Sequence, residues 1–200
     1  EKYQQRLLEA ASPEEFARTA GLVLAETKDK HIWLEADGKH IPAYVNPVTP
    51  NANFKLLPSL VPGFKKVNKI VCTGRFPNGA GYILMNSWSG SEKDFEPLYA
   101  ALKEMANAPG LIIDVRGNGG GSETMAQKFA GCFVDAPVLY AKHQTLDSSS
   151  PDGFTPVKNR YLMPNQDGPK YRGKVAVLVG PVVMSSCESF VLMMKQVDGC

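Results

Sequence analysis

Cysteine is scarce in this sequence, and neither sign of charge dominates. Cys72, Cys132, Cys187 and Cys200 are widely spaced, with neither the CxxC pairs of a zinc site nor the density of a disulfide scaffold, and they fix no compartment. The 22 basic residues stand against 20 acidic ones, a net charge of +2. With no dense Lys/Arg cluster, no nucleic-acid partner is expected. No uninterrupted apolar run approaches the roughly 20 residues of a membrane span. Glu1 begins directly in a charged, helix-like segment rather than a signal peptide, which is compatible with a leader already removed. No internal repeat occurs. What is present is an ordinary globular composition, 200 residues of which 44% are hydrophobic and 21% charged, sufficient for one substantial core with a small appendage.

Residues 1–30 read as two helices. The first centres on Leu7, Leu8 and Ala11; Ser12-Pro13-Glu14-Glu15 opens the second, combining a capping box with proline at the first helical position. Phe16, Ala20, Val23 and Leu24 are its expected apolar face. Asp37-Gly38, between His31–Glu35 and Lys39–Val45, is a two-residue hairpin signal that sets His40 opposite Glu35. Residues 46–65, rich in Pro and Asn, read as a linker that completes an N-terminal cap of residues 1–65.

From residue 66 to 200 strands and helices alternate. Strands are expected at Ile70–Thr73, Tyr82–Met85, 111–115, Val138–Ala141 and Val175–Val179. One helix carries Phe95, Leu98, Tyr99, Leu102 and Met105, a second begins at Ser122, and a third has Cys187, Phe190, Val191 and Met194 on one face. Strands apolar on both sides imply an α/β core with a mostly parallel sheet covered on both faces. Residues 144–173 interrupt this rhythm with three serines and several prolines, and read as a lid, a binding loop or a mobile surface segment.

Two stretches carry the chemistry. In VLVGPVVMSSCES, residues 177–189, an apolar strand turns into a helix with a serine pair at the junction. A hydroxyl there projects from the carboxyl edge of a sheet, and the N–H groups opening the helix can stabilise an oxyanion. The plainer role for Ser185 is a helix N-cap. In LIIDVRGNGGG, residues 111–121, a strand enters a glycine loop. That loop lacks the Gly-Lys-Ser/Thr ending of a phosphate-binding loop, and Ser122 stands where a dinucleotide fingerprint wants Gly or Ala; an oxyanion loop and a simple tight turn remain. Asp114 and Arg116 suit bracing of the loop, Glu188 a charge near a helix N-terminus, and Trp33 and Trp88 core packing. Together the stretches suggest acyl transfer, provided a base activates the serine.

The pair of motifs resembles the C-terminal processing proteases and the catalytic core of tricorn protease, a group that includes interphotoreceptor retinoid-binding protein. In that family the nucleophilic serine stands three residues before a glutamate, a spacing that Ser185-Ser186-Cys187-Glu188 reproduces. The resemblance makes Ser185 the nucleophile and Ser186 one oxyanion donor, with Gly121 or its neighbour Gly120 as the other. The stretch Leu24–His31 resembles the family's Thr-Ser-His or Asp-x-His segment, which makes His31 the general base, although Lys30 replaces the serine that precedes the histidine in tricorn protease. Gly81-Tyr82-Ile83 looks like the family's Gly-Tyr-Ile strand. The absence of an inserted PDZ module favours the tricorn-like branch.

The family's remaining catalytic group lies well beyond Ser185, whereas the sequence ends at Cys200. Lys195 sits on the same expected helix, about 15 Å along from Ser185 at 1.5 Å per residue, and cannot act as a dyad lysine. A fragment lacking the C-terminal part of the family domain is therefore expected. The resemblance implies a ClpP/crotonase-like core and a serine endopeptidase acting on peptide or protein substrates, with no metal or organic cofactor and a secreted or envelope location. A binding protein for a hydrophobic ligand or peptide on the same scaffold is the alternative, and a crotonase-like acyl-thioester enzyme a third.

Overall fold

The chain divides into two compact units, Glu1–Val48 and Thr49–Cys200. A computed structural model describes residues 2–45 and 48–200; Glu1, heading the first expected helix, and Asn46 and Pro47, heading the expected linker, lie outside the described residues.

The first unit contains α1 (Gln4–Leu8), α2 (Pro13–Ala25), β1 (Trp33–Ala36) and β2 (Lys39–Pro42). α1 stops before Ala11. At the head of α2, Ser12 Oγ accepts the Glu15 N–H at 3.1 Å and the Glu15 carboxylate accepts from Ala11 N–H at 2.9 Å, which satisfies donors that a helix start leaves open. The buried side of α2 is Ala17, Thr19 and Gly21, not the expected stripe, since Phe16 is 51% and Val23 40% exposed. The reason is close approach: a Cβ at Gly21 would stand 3.4 Å from Pro42 O and 3.6 Å from Leu34 Cδ1, so small side chains face the hairpin. β1 and β2 pair with Glu35 opposite His40. Their turn uses Asp37 at φ 51° and Gly38 at φ 69°, the two positive values that a tight hairpin turn requires.

The second unit opens with a 3-10 turn (Phe54–Leu56), α3 (Leu57–Leu60), β3 (Lys65–Lys66), β4 (Val71–Arg75) and β5 (Gly81–Met85). It continues with α4 (Glu92–Glu104), β6 (Gly110–Asp114), α5 (Glu123–Ala130), β7 (Val138–His143), β8 (Lys158–Leu162), β9 (Lys174–Leu178) and α6 (Ser186–Met194). The five-stranded sheet has the order β3-β4-β5-β6-β9. β5–β6 and β6–β9 are parallel while β3–β4 and β4–β5 are antiparallel, so β4 alone opposes the other strands and the sheet is mostly parallel, as expected.

The two sheet faces are covered differently. Val71, Ile83, Met85, Leu111, Ile113 and Val175 share one core with Phe95 and Leu98 of α4, Phe129 of α5 and Phe190 of α6. Cys72, Tyr82 and Leu84, the alternating residues, pack with Leu57, Val61, Phe54 and Phe64. The described part of the expected linker is thus the cover of the second face, because its few apolar residues are enough to seal the small surface those strands present. β7 also departs from expectation. Among the described residues it pairs only with β8, outside the five-stranded sheet, and much of the expected lid is strand β8 and the loop back to β9. In β8 only Leu162 is buried, and so polar a strand has little hydrophobic signature.

Candidate functional site

β6 and β9 are parallel neighbours ending in register, Asp114 beside Leu178, and Val115 N–H donates to Leu178 O at 3.0 Å. The loops that follow therefore leave the same carboxyl edge side by side, the usual place for a site in an open α/β sheet. One loop leads to Ser185, the N-cap of α6, which sits at φ 58°, ψ −132°. An N-cap is ordinarily extended, so capping does not account for this conformation; strain of this kind costs about 1–3 kcal/mol and is concentrated at functional positions. Glu188, one turn into α6, accepts the Ser185 N–H on Oε2 at 2.7 Å and so fixes the backbone of the turn.

The other loop is held from beneath. Buried Asp114 accepts from Tyr82 Oη at 2.6 Å, from Arg116 N–H at 3.1 Å and from the Arg116 guanidinium at 3.0 and 2.6 Å. Burial, and then the hydrogen bond to Asp114, drive the Tyr82 phenol far above its ordinary value. Asn118, fully buried, donates to Met85 O at 3.2 Å and accepts the Gly120 N–H at 2.9 Å. Trp88 N–H donates to Gly120 O, and Ser122 N–H to Trp88 O, both at 2.9 Å. Below them the Trp88 ring lies 4.9 Å from Phe190 and 6.1 Å from Phe129, joining the loop to α5 and α6.

The two loops abut. A Cβ at Gly120, φ +108°, would stand 2.8 Å from Ser185 Cβ, 2.9 Å from Met184 O and 3.3 Å from Ser186 N. At Gly121, φ +135°, it would stand 2.3 Å from both Ser89 N and Trp88 C. Only glycine permits this approach. Ser185, Ser186, Gly120 and Gly121 are thus brought together. Among the described residues, the N–H groups of Gly121 and Ser186 have no partner, whereas that of Gly120 is donated to Asn118 and that of Cys187 to Met184 O. Asn118 was not singled out from sequence; its signal is a lone amide inside a glycine run.

His31 belongs to the first unit, just before β1. Its Nδ1 is 2.8 Å from Asp29 Oδ1, which also accepts the His31 N–H at 2.8 Å; both side chains are about half exposed. The His31 backbone N–H and ring hold the Asp29 carboxyl below its usual range. Among the described residues, no group of three His, Cys, Asp or Glu side chains is placed to hold a metal ion. A groove of about 440 Å³ lined by Phe95, Tyr99, Met125 and Lys128 contains none of the site residues.

No curated protein matches the sequence. Among solved structures, a candidate peptidase from Parabacteroides merdae ATCC 43184 superposes with a TM-score of 0.77 at 25% identity, over 98% of this chain and 63% of its own. The chain therefore spans less than two thirds of that relative. A candidate S41 protease from Bacteroides fragilis NCTC 9343 is 16% identical with a TM-score of 0.47, over 83% of this chain and 43% of its own. A photosystem II D1 C-terminal processing protease is 20% identical with a TM-score of 0.42, over 58% and 27%. The family model for Peptidase family S41 matches residues 79–199, a stretch that takes in β5, both loops of the site and all of α6, and on that match the chain belongs to Peptidase family S41.

Proposed function

We propose that the protein is a serine peptidase of the tricorn-like branch, with a crotonase-like core, in which Ser185 is the nucleophile and His31 the general base. Ser185 Oγ attacks the carbonyl carbon of a peptide bond while His31 Nε2 takes its proton. The oxygen that becomes negative is received by the N–H groups of Ser186 and Gly121. Collapse of the tetrahedral intermediate expels the amine, which takes the proton back from His31, and water then releases the acyl group by the same route. Each oxyanion donor of this kind is worth about 2.7–4 kcal/mol in the transition state. Gly120 serves by its small size, since its own N–H is committed to Asn118. An extended peptide substrate would bind by addition to a sheet edge.

The observation that carries this reading is the left-handed backbone of Ser185, φ 58°, abutted by Gly120 at the head of α6. The reading is tested by hydrolysis of an unstructured protein such as casein. Ser185→Ala and His31→Ala should each lower kcat/KM on the order of 10³-fold or more, and hydrolysis unchanged in Ser185→Ala would overturn it.

A further inference from the structure

Three successive carbonyls at the end of β9 hold the loop that leads to Ser185. Leu178 O accepts from Val115 N–H and Gly180 O from Val183 N–H, both at 3.0 Å, and these bonds are made within the two loops of the site. Val179 O, between them, accepts from Asn51 Nδ2 at 3.1 Å, a residue of the Pro- and Asn-rich stretch far upstream. Asn51 also lies against Gly180: the atoms nearest to a Cβ built there are the Asn51 carboxamide Oδ1, then Cγ at 3.0 Å and Nδ2 at 3.4 Å. Three residues on, Phe54 covers the other loop, where a Cβ at Gly117 would stand 3.0 Å from Phe54 Cζ. Asn53 caps the 3-10 turn that begins at Phe54, its side chain accepting the Lys55 N–H at 3.1 Å, and the Phe54 ring packs on the core of the second sheet face. One short segment anchored on that face thus touches both loops of the site.

We infer that Asn51 is a positioning residue for Ser185, a role that rests on Ser185 being the nucleophile. Only Pro181, Val182, Val183 and Met184 separate Gly180 from Ser185. The first has a fixed φ and the third is bonded back to Gly180 O. So short and constrained a path carries a displacement of Val179 and Gly180 through to the turn that aims the Ser185 hydroxyl at the Gly121 side of the site. Asn51 is exposed and belongs to neither apolar core, so its effect on the position of the loop is separable from folding. Gly180 is not left-handed, so an alanine there is opposed by the Asn51 carboxamide and not by its own backbone.

The test uses Asn51→Ala, Gly180→Ala and the double variant in the full chain. Fluorophosphonate labelling of Ser185 is resolved into kinact and KI, and each protein is titrated with urea. In Asn51→Ala, kinact should fall about 10- to 100-fold with KI unchanged and the urea midpoint lowered by no more than roughly 0.5 M. Gly180→Ala displaces the same carboxamide and should show the same loss, with no further loss in the double variant. A parental kinact in Asn51→Ala would overturn the positioning role, even if the urea midpoint falls, and this arm stands alone should Gly180→Ala not fold. Losses that multiply in the double variant would overturn it as well. A parent protein that takes no label would instead overturn Ser185 as the nucleophile, and the positioning role with it.

Discussion

Replacing Gly120 by alanine puts one methyl group where the two loops of the site meet. The added carbon would lie 2.8 Å from Ser185 Cβ and 2.9 Å from Met184 O, and the backbone would keep φ near +108° with a side chain attached. The unfavourable conformation costs about 1–3 kcal/mol, and crowding in a packed region costs about 1–3 kcal/mol more. A loss of about 2–6 kcal/mol should lower the urea midpoint of the second unit by roughly 1–3 M at a slope of about 2 kcal/mol per M. Relief of the clash requires the Ser185 turn to move away from the glycine loop, and displacement approaching 1 Å lowers reactivity about 100-fold. Gly119→Ala is the internal control. Nothing lies within 4 Å of its added carbon, so its stability should stay within about 0.5 kcal/mol of the parent. Urea titration and fluorophosphonate labelling of both variants provide the assay. Gly120→Ala as stable and as quickly labelled as Gly119→Ala would refute the close approach of the two loops.

Asn118→Ala removes the partner of Met85 O and of the Gly120 N–H within a buried site; a stability loss of about 2–4 kcal/mol and slower labelling are expected from the same two assays. Glu123 concerns acid stability. Burial opposes its ionisation, but Arg160, Tyr140 and Ser189 together hold its carboxyl below the usual range. The stabilisation should be complete above an ordinary Glu value of about 4.3 and lost as pH falls through the lowered folded value, so Glu123→Gln should be less stable than the parent at pH 7, by urea midpoint, with the difference shrinking as the pH is lowered through the acid range.

Where the determinants are local, the sequence is informative. The Asp37-Gly38 turn, the Ser12 cap and the apolar spacing of α4 each depend on neighbours along the chain, and each stands where those residues imply. The placement of Ser185 beside the glycine loop was implied by the resemblance of the two motifs to one family, and its physical basis is that both strand-to-loop junctions leave one edge of parallel β6 and β9. What was hidden depends on contacts distant in sequence or on backbone angles. Leu57 and Val61 look unremarkable in a Pro- and Asn-rich stretch, yet they meet Cys72, Tyr82 and Leu84. β8 is defined by its pairing with β7 and has too polar a sequence to announce itself. The buried side of α2 follows from the closeness of the hairpin rather than from hydrophobicity. The split of the glycine-loop N–H groups into one committed to Asn118 and one without a partner cannot be read from the letters GNGGG, nor can the left-handed backbone of Ser185.

The central claim is an activated serine at position 185, and the most direct measurement is intact mass after fluorophosphonate treatment of the protein and of Ser185→Ala. The account predicts a single covalent adduct on the parent protein, located on Ser185 by peptide mapping, and no adduct on the variant. An adduct that persists in Ser185→Ala, or none on the parent under conditions that label an active serine hydrolase, would contradict it.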